Sequence, residues 1–89
     1  MDYKVNEIST KIISIEEDGY LSFAIKATVE NLSSDNEVTV ELQGIDKDGF
    51  EILHIYLLGH ISLGQKKVLT TKESVEASLF KQVTFWQAK

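Results

Sequence analysis

Five acidic side chains sit beside two Asp-Gly steps: Glu16, Glu17 and Asp18 before Gly19, and Asp46 and Asp48 before Gly49. If the strands around them run up and down, both turns lie at one end of the molecule, and their hard oxygen atoms would suit calcium. The spacing of an EF-hand loop fits neither turn. With Gly49 at that loop's glycine position, the first ligand falls on Gly44 and the bidentate one on Ile55; with Gly19 there, they fall on Ser14 and Ile25. Calcium stabilisation is therefore the alternative reading. The plainer one is a solvated charged end that keeps two hairpins soluble.

Other reactive side chains assemble even less. His54 and His60 are the only histidines, their spacing matches no zinc pattern, and no cysteine exists to complete a site. His54 shares parity with Ile52 and Tyr56, which predicts a partly buried structural histidine. In the stretch from Gly59 to Lys66, Gln65 stands where a phosphate loop needs lysine, and Ser62 is three residues from Gly59, too far for a nucleophile elbow. Asn31-Leu32-Ser33 is a formal glycosylation sequon, but a polar loop accounts for it without a sugar. Lys66-Lys67 reads as a solvated strand edge. Neither a catalytic set nor a cofactor site emerges. Phe85 and Trp86 are the interaction candidates: adjacent residues of a strand face opposite ways, so one enters the core and the other can anchor a partner.

The composition suits such a module. The chain has 89 residues, 43% hydrophobic and 26% charged, without proline or cysteine. This is ordinary globular usage, and the length predicts a single domain over 1–89 with a small core. Nine basic against fourteen acidic residues give 9 − 14 = −5. That sign disfavours nucleic acid and anionic membrane surfaces as partners. No basic-plus-apolar leader and no membrane-length apolar run are found in the chain as given, so the expectation is a soluble protein of unassigned compartment.

The elements that would position these residues are strands. Leu21, Phe23, Ile25, Ala27 and Val29 alternate with polar or small residues, as do Val38, Val40 and Leu42. Period two marks strands with one face buried. The Asp-Gly steps predict hairpins, hence a strand within 5–15 and another within 50–58. The first mixes phases, so a bulge or bend is expected near 9–11. Residues 52–63 are apolar on both parities, and 66–71 reads as a further strand. Val75, Leu79 and Val83 fall at helical spacing, with Thr70 and Glu73 as a possible capping box. We read a short helical turn from Glu73 to Leu79, then a closing strand holding residues 83–86; the alternative is one helix reaching Val83. About seven strands in this length predict an all-β, immunoglobulin-like antiparallel sandwich, with a closed barrel as competitor.

The middle of the chain resembles the FxLYD family of bacterial immunoglobulin-like domains. Val29-Glu30-Asn31-Leu32-Ser33 matches that family's V-x-N-x-S step. Leu42, Gly44, Ile45 and Asp46 occupy the positions of its aromatic-x-Leu-Tyr-Asp motif, ahead of the turn at Asp48-Gly49. Ile61-Ser62-Leu63-Gly64 resembles its Leu-x-Pro-Gly-like turn, and Glu76, Ala77 and Phe80 its last turn. The resemblance covers about residues 20–85. It implies a sandwich without a catalytic site, of the kind found in envelope-associated or secreted chains. The functional expectation is a noncatalytic interaction or accessory module, pairing with a protein partner or with itself through an edge strand. The expected edges are the strand around 5–13 and the one holding 83–86.

Overall fold

The computed structural model describes residues 2–89. The strands are β1 (Tyr3–Ile15), β2 (Tyr20–Asn31), β3 (Glu37–Ile45), β4 (Glu51–His60), β5 (Lys66–Glu76) and β6 (Phe85–Ala88), with α1 (Ala77–Gln82) between the last two. They form two antiparallel three-stranded sheets, ordered β1-β2-β5 and β4-β3-β6. The fold is an all-β sandwich. Six strands rather than seven are present among the described residues.

The two alternating segments are the central strands. Leu21, Phe23, Ile25, Ala27 and Val29 from β2 meet Val38, Val40 and Leu42 from β3, and all are essentially inaccessible to solvent. Ile55 and Leu57 from β4, Ile61 just after that strand and Leu69 from β5 complete the core. The dual-parity run of 52–63 resolves as an edge strand: Ile55 and Leu57 face in, while Tyr56 and Leu58 are exposed. Both Asp-Gly hairpins form, and Gly19 and Gly49 adopt φ of 89° and 86°, which glycine reaches without strain.

β1 solves its mixed phase with two bulges, not one near 9–11. Register shifts fall between Asn6 and Ser9 and between Ile12 and Ser14. Glu7, with φ of 57°, and Ile8 together oppose one residue of β2, and Ile13 is the second extra residue. Each insertion restores the inward phase, so Val5, Thr10, Ile12 and Ile15 all pair with inward residues of β2.

The C-terminal third also departs from expectation. β5 runs to Glu76, and the helix begins only at Ala77. Val75 and Glu73 are register partners of Leu21 and Phe23, and Thr70 donates its hydroxyl to the Ile25 carbonyl instead of capping a helix. The exposed backbone of β2 needs a ladder along its whole length, and that outweighs a weak helical spacing. Helix α1 then crosses the end of the sandwich. Ala77 N–H donates to the Gly19 carbonyl, and Thr84 N–H donates to the Ile45 carbonyl, so this segment runs from one hairpin to the other. Phe80 lies on Phe23 at 4.7 Å between ring centroids and closes the core there.

At the opposite end, Asn31 is fully buried. Its amide donates to the carbonyls of Asp35 and Ile61, and its Oδ1 accepts from Ser33 N–H. The sequon asparagine therefore spends both amide hydrogens inside the fold, joining the β2–β3 loop to the end of β4. Replacing it with alanine strands the Ile61 carbonyl and the Ser33 amide. Asn31→Ala should cost about 2–4 kcal/mol in urea unfolding, a large share of a small domain's stability. A change below about 0.5 kcal/mol would contradict this latch.

Candidate functional site

The two long sides of the sandwich are unlike. On one, β5 packs against β4, and a β-carbon at Gly59 would overlap Leu69 Cδ2, so the sheets close on each other. On the other, β1 has 13 residues and faces β6, which has 4. Between the Tyr3 end of β1 and the middle of β3 lies an open groove of about 830 Å³, walled by Tyr3, Val5 and Ile8 of β1, by Val40 of β3, and by Trp86 and Lys89. At the other end of β1, Ile12 and Ile15 have the inward phase yet are exposed by 46% and 72%.

Trp86 and Phe85 divide as strand alternation requires. Trp86 turns inward, half-buried, opposite Gly44, and a β-carbon there would lie 3.1 Å from its ring. Its centroid is 6.0 Å from that of Phe23, and one side of it lines the groove. Phe85, opposite Ile45, is 50% exposed on the outer face of the sheet. Tyr3, Val5, Ile8 and Val40 carry no chemical signature in the sequence. They line one groove only because the fold brings β1 and β3 face to face.

The outer face of β4-β3-β6 carries a polar network. Gln87 donates to Gln43 at 2.9 Å, and Lys89 Nζ lies 3.7 Å from Glu41. The His54 ring sits between two carboxylates, with Nδ1 3.0 Å from Glu51 and Nε2 3.4 Å from Glu41, and it stacks on Tyr56 at 4.8 Å. The Nε2 contact lacks hydrogen-bond geometry, which leaves that nitrogen without a hydrogen-bond partner. His60, exposed, contacts Glu37 at 3.1 Å. The two ring nitrogens of His54 face opposite carboxylates, an arrangement that positions the ring and does not focus it on a third group.

The acidic turns do lie at one end of the sandwich but do not converge. The segment from Ala77 to Thr84 is anchored at Gly19 and Ile45, between the two hairpins. Among the described residues, no three of His, Cys, Asp or Glu gather closely enough to share a metal ion. The carboxylates serve their own turns. Asp18 Oδ1 accepts from Tyr20 N–H, Asp46 Oδ1 accepts from both Asp48 and Phe50 N–H, and Glu16 accepts from the Ser14 hydroxyl. Glu17 and Asp48 are exposed.

Because Asp46 holds two amides and Asp18 one, Asp46→Ala should destabilise the protein by about 1–2 kcal/mol and Asp18→Ala by about half that. Calorimetry should show the same Tm with and without millimolar calcium; a rise with calcium concentration would reinstate the metal reading. Against known proteins, the chain matches no protein-family model and no curated protein.

Proposed function

We propose that the protein is a noncatalytic interaction module that binds a protein partner through an exposed sheet edge. The observation that carries this reading is the uneven protection of its edges. β1 is broken by two bulges and carries Lys4 and Lys11. β5 carries Lys66, Lys67 and Lys72, with Glu73 in the inward phase. Bulges, lysines and inward charges are the devices that keep sheet edges from pairing. The β4-β3-β6 sheet has few of them. From Leu53 to Gly59, β4 has no lysine, proline or bulge, and it exposes Tyr56 and Leu58 by 51% and 68%.

The resemblance to FxLYD-type immunoglobulin-like domains supports the same view. The residues carrying it do structural work: Asn31 and Ser33 form a loop latch, and Asp46 caps a turn. No helix among the described residues is long and apolar enough to cross a membrane, and the charge of −5 favours protein over nucleic acid as partner.

Affinity capture on the immobilised chain tests the reading with two variants. Leu58→Lys alters β4, and Val68→Lys on the defended β5 serves as control. A protein retained by the wild type and by Val68→Lys should be lost from Leu58→Lys. Equal retention by all folded variants would overturn edge pairing.

A further inference from the structure

We infer that the outer face of the β1-β2-β5 sheet binds a short acidic segment of a partner protein, at a site separate from the β4 edge. Register defines this face. Alternation buries Leu21, Phe23, Ile25, Ala27 and Val29, so Ser22, Ala24, Lys26, Thr28 and Glu30 belong to the outer side. Residues paired across an antiparallel ladder share a face. Lys11 and Lys72 therefore flank Ala24, Ser9 and Thr70 flank Lys26, and Lys4 and Lys66 flank Glu30. Five of the nine basic residues of an acidic chain thus stand on one sheet face. Among the described residues, none of these five lysines lies at ion-pair distance from a carboxylate. Edge protection accounts for lysines on β1 and β5. It does not account for Lys26, because β2 is the central strand and is paired on both sides.

The charge and the dimensions of this face select the occupant. Lys11, Lys26 and Lys72 surround Ala24, whose short side chain leaves the space between them open, and a depression of about 260 Å³ lies there, lined also by Ser9 and Thr70. Two strand spacings put the Cα atoms of Lys11 and Lys72 about 10 Å apart. From the Ser22 row to the Thr28 row, roughly 20 Å along the strands, the paired positions hold neither an acid nor an aromatic. Glu7 stands outside these rows, in the first bulge of β1. Acids close the strip at both ends: Glu30 beyond Thr28, and Glu76 opposite Tyr20, where the turn holding Glu16, Glu17 and Asp18 begins. A long polyanion would run onto those carboxylates, and the rows offer bases nothing to stack on. An extended segment with about three acidic side chains on one face fits the free length. Its carboxylates meet the lysine ammonium groups as point charges, and the exposed Ser9 and Ser74 add hydroxyl donors.

The experiment is an amide chemical-shift titration of the full chain with acetyl-glutamate-serine-glutamate-serine-glutamate-amide. The largest shifts are expected at Lys11, Ala24, Lys26 and Lys72. Exposed ion pairs are individually weak and screened, so affinity should fall about fivefold or more between about 20 and 200 mM salt. Lys26 and Lys72 are exposed, so replacing them leaves the core untouched. The double variant Lys26→Gln with Lys72→Gln should weaken binding about tenfold. Lys47→Gln with Lys81→Gln makes the same change in net charge away from the face and should keep affinity within about twofold. Leu58→Lys, which blocks the β4 edge, should also leave it unchanged, so this site and edge pairing fail separately. Equal loss in the two double variants, or no shifts on this face, would overturn the inference. Binding to vesicles of phosphatidylserine and phosphatidylcholine that is tighter than to the peptide would overturn the partner chemistry in favour of a lipid surface. Light scattering that shows self-association of the chain alone, abolished by the Lys26→Gln and Lys72→Gln pair, would overturn it in favour of a second copy.

Discussion

Every strand of a sandwich needs hydrogen-bond partners on both sides or water on one, and this chain meets that requirement unequally. β2 is satisfied along its length, by β1 on one side and β5 on the other. β3, its counterpart in the facing sheet, has β4 throughout but β6 for four residues only. The open groove lies where β1 and β3 face each other without β6 between them. The core does not need the missing pairing, because the inward faces of β2 and β3 bury one another regardless.

Helix α1 follows from the same economy. After β5 completes the first sheet, the chain must reach the far edge of the second, and the shortest path crosses the end of the sandwich. Phe80 makes that crossing useful by covering Phe23. The path also separates the two acidic hairpins, which topology alone would have brought together. A connection needed for sheet order thus decides what the carboxylates at that end can do, and they bond their own turns.

The parts of this architecture written in local pattern are legible in the sequence. Alternation along Leu21 to Val29 and Val38 to Leu42 marks the two central strands, and Asp18-Gly19 and Asp48-Gly49 mark the hairpins. The mixed parity of β1 announces a bulge but not its position, since Ile8, Ile12, Ile13 and Ile15 allow several registers until β2 selects one. The spacing of Val75, Leu79 and Val83 suggests a helix that tertiary pairing shortens to six residues and moves toward the C-terminus. Of the predicted site residues, Phe85 and Trp86 separate outward and inward as alternation demands. The groove itself has no local signature, because its walls come from β1, β3 and β6, which are far apart in the sequence.

The order of pairings has a kinetic consequence. The β1–β2 and β3–β4 hairpins join neighbours in sequence and close small loops, whereas β6 docks across a separation of 44 residues between Gln43 and Gln87. Long closures cost more chain entropy and come late in sheet proteins. In that order of assembly, β3 keeps its free side open until β6 docks across from it.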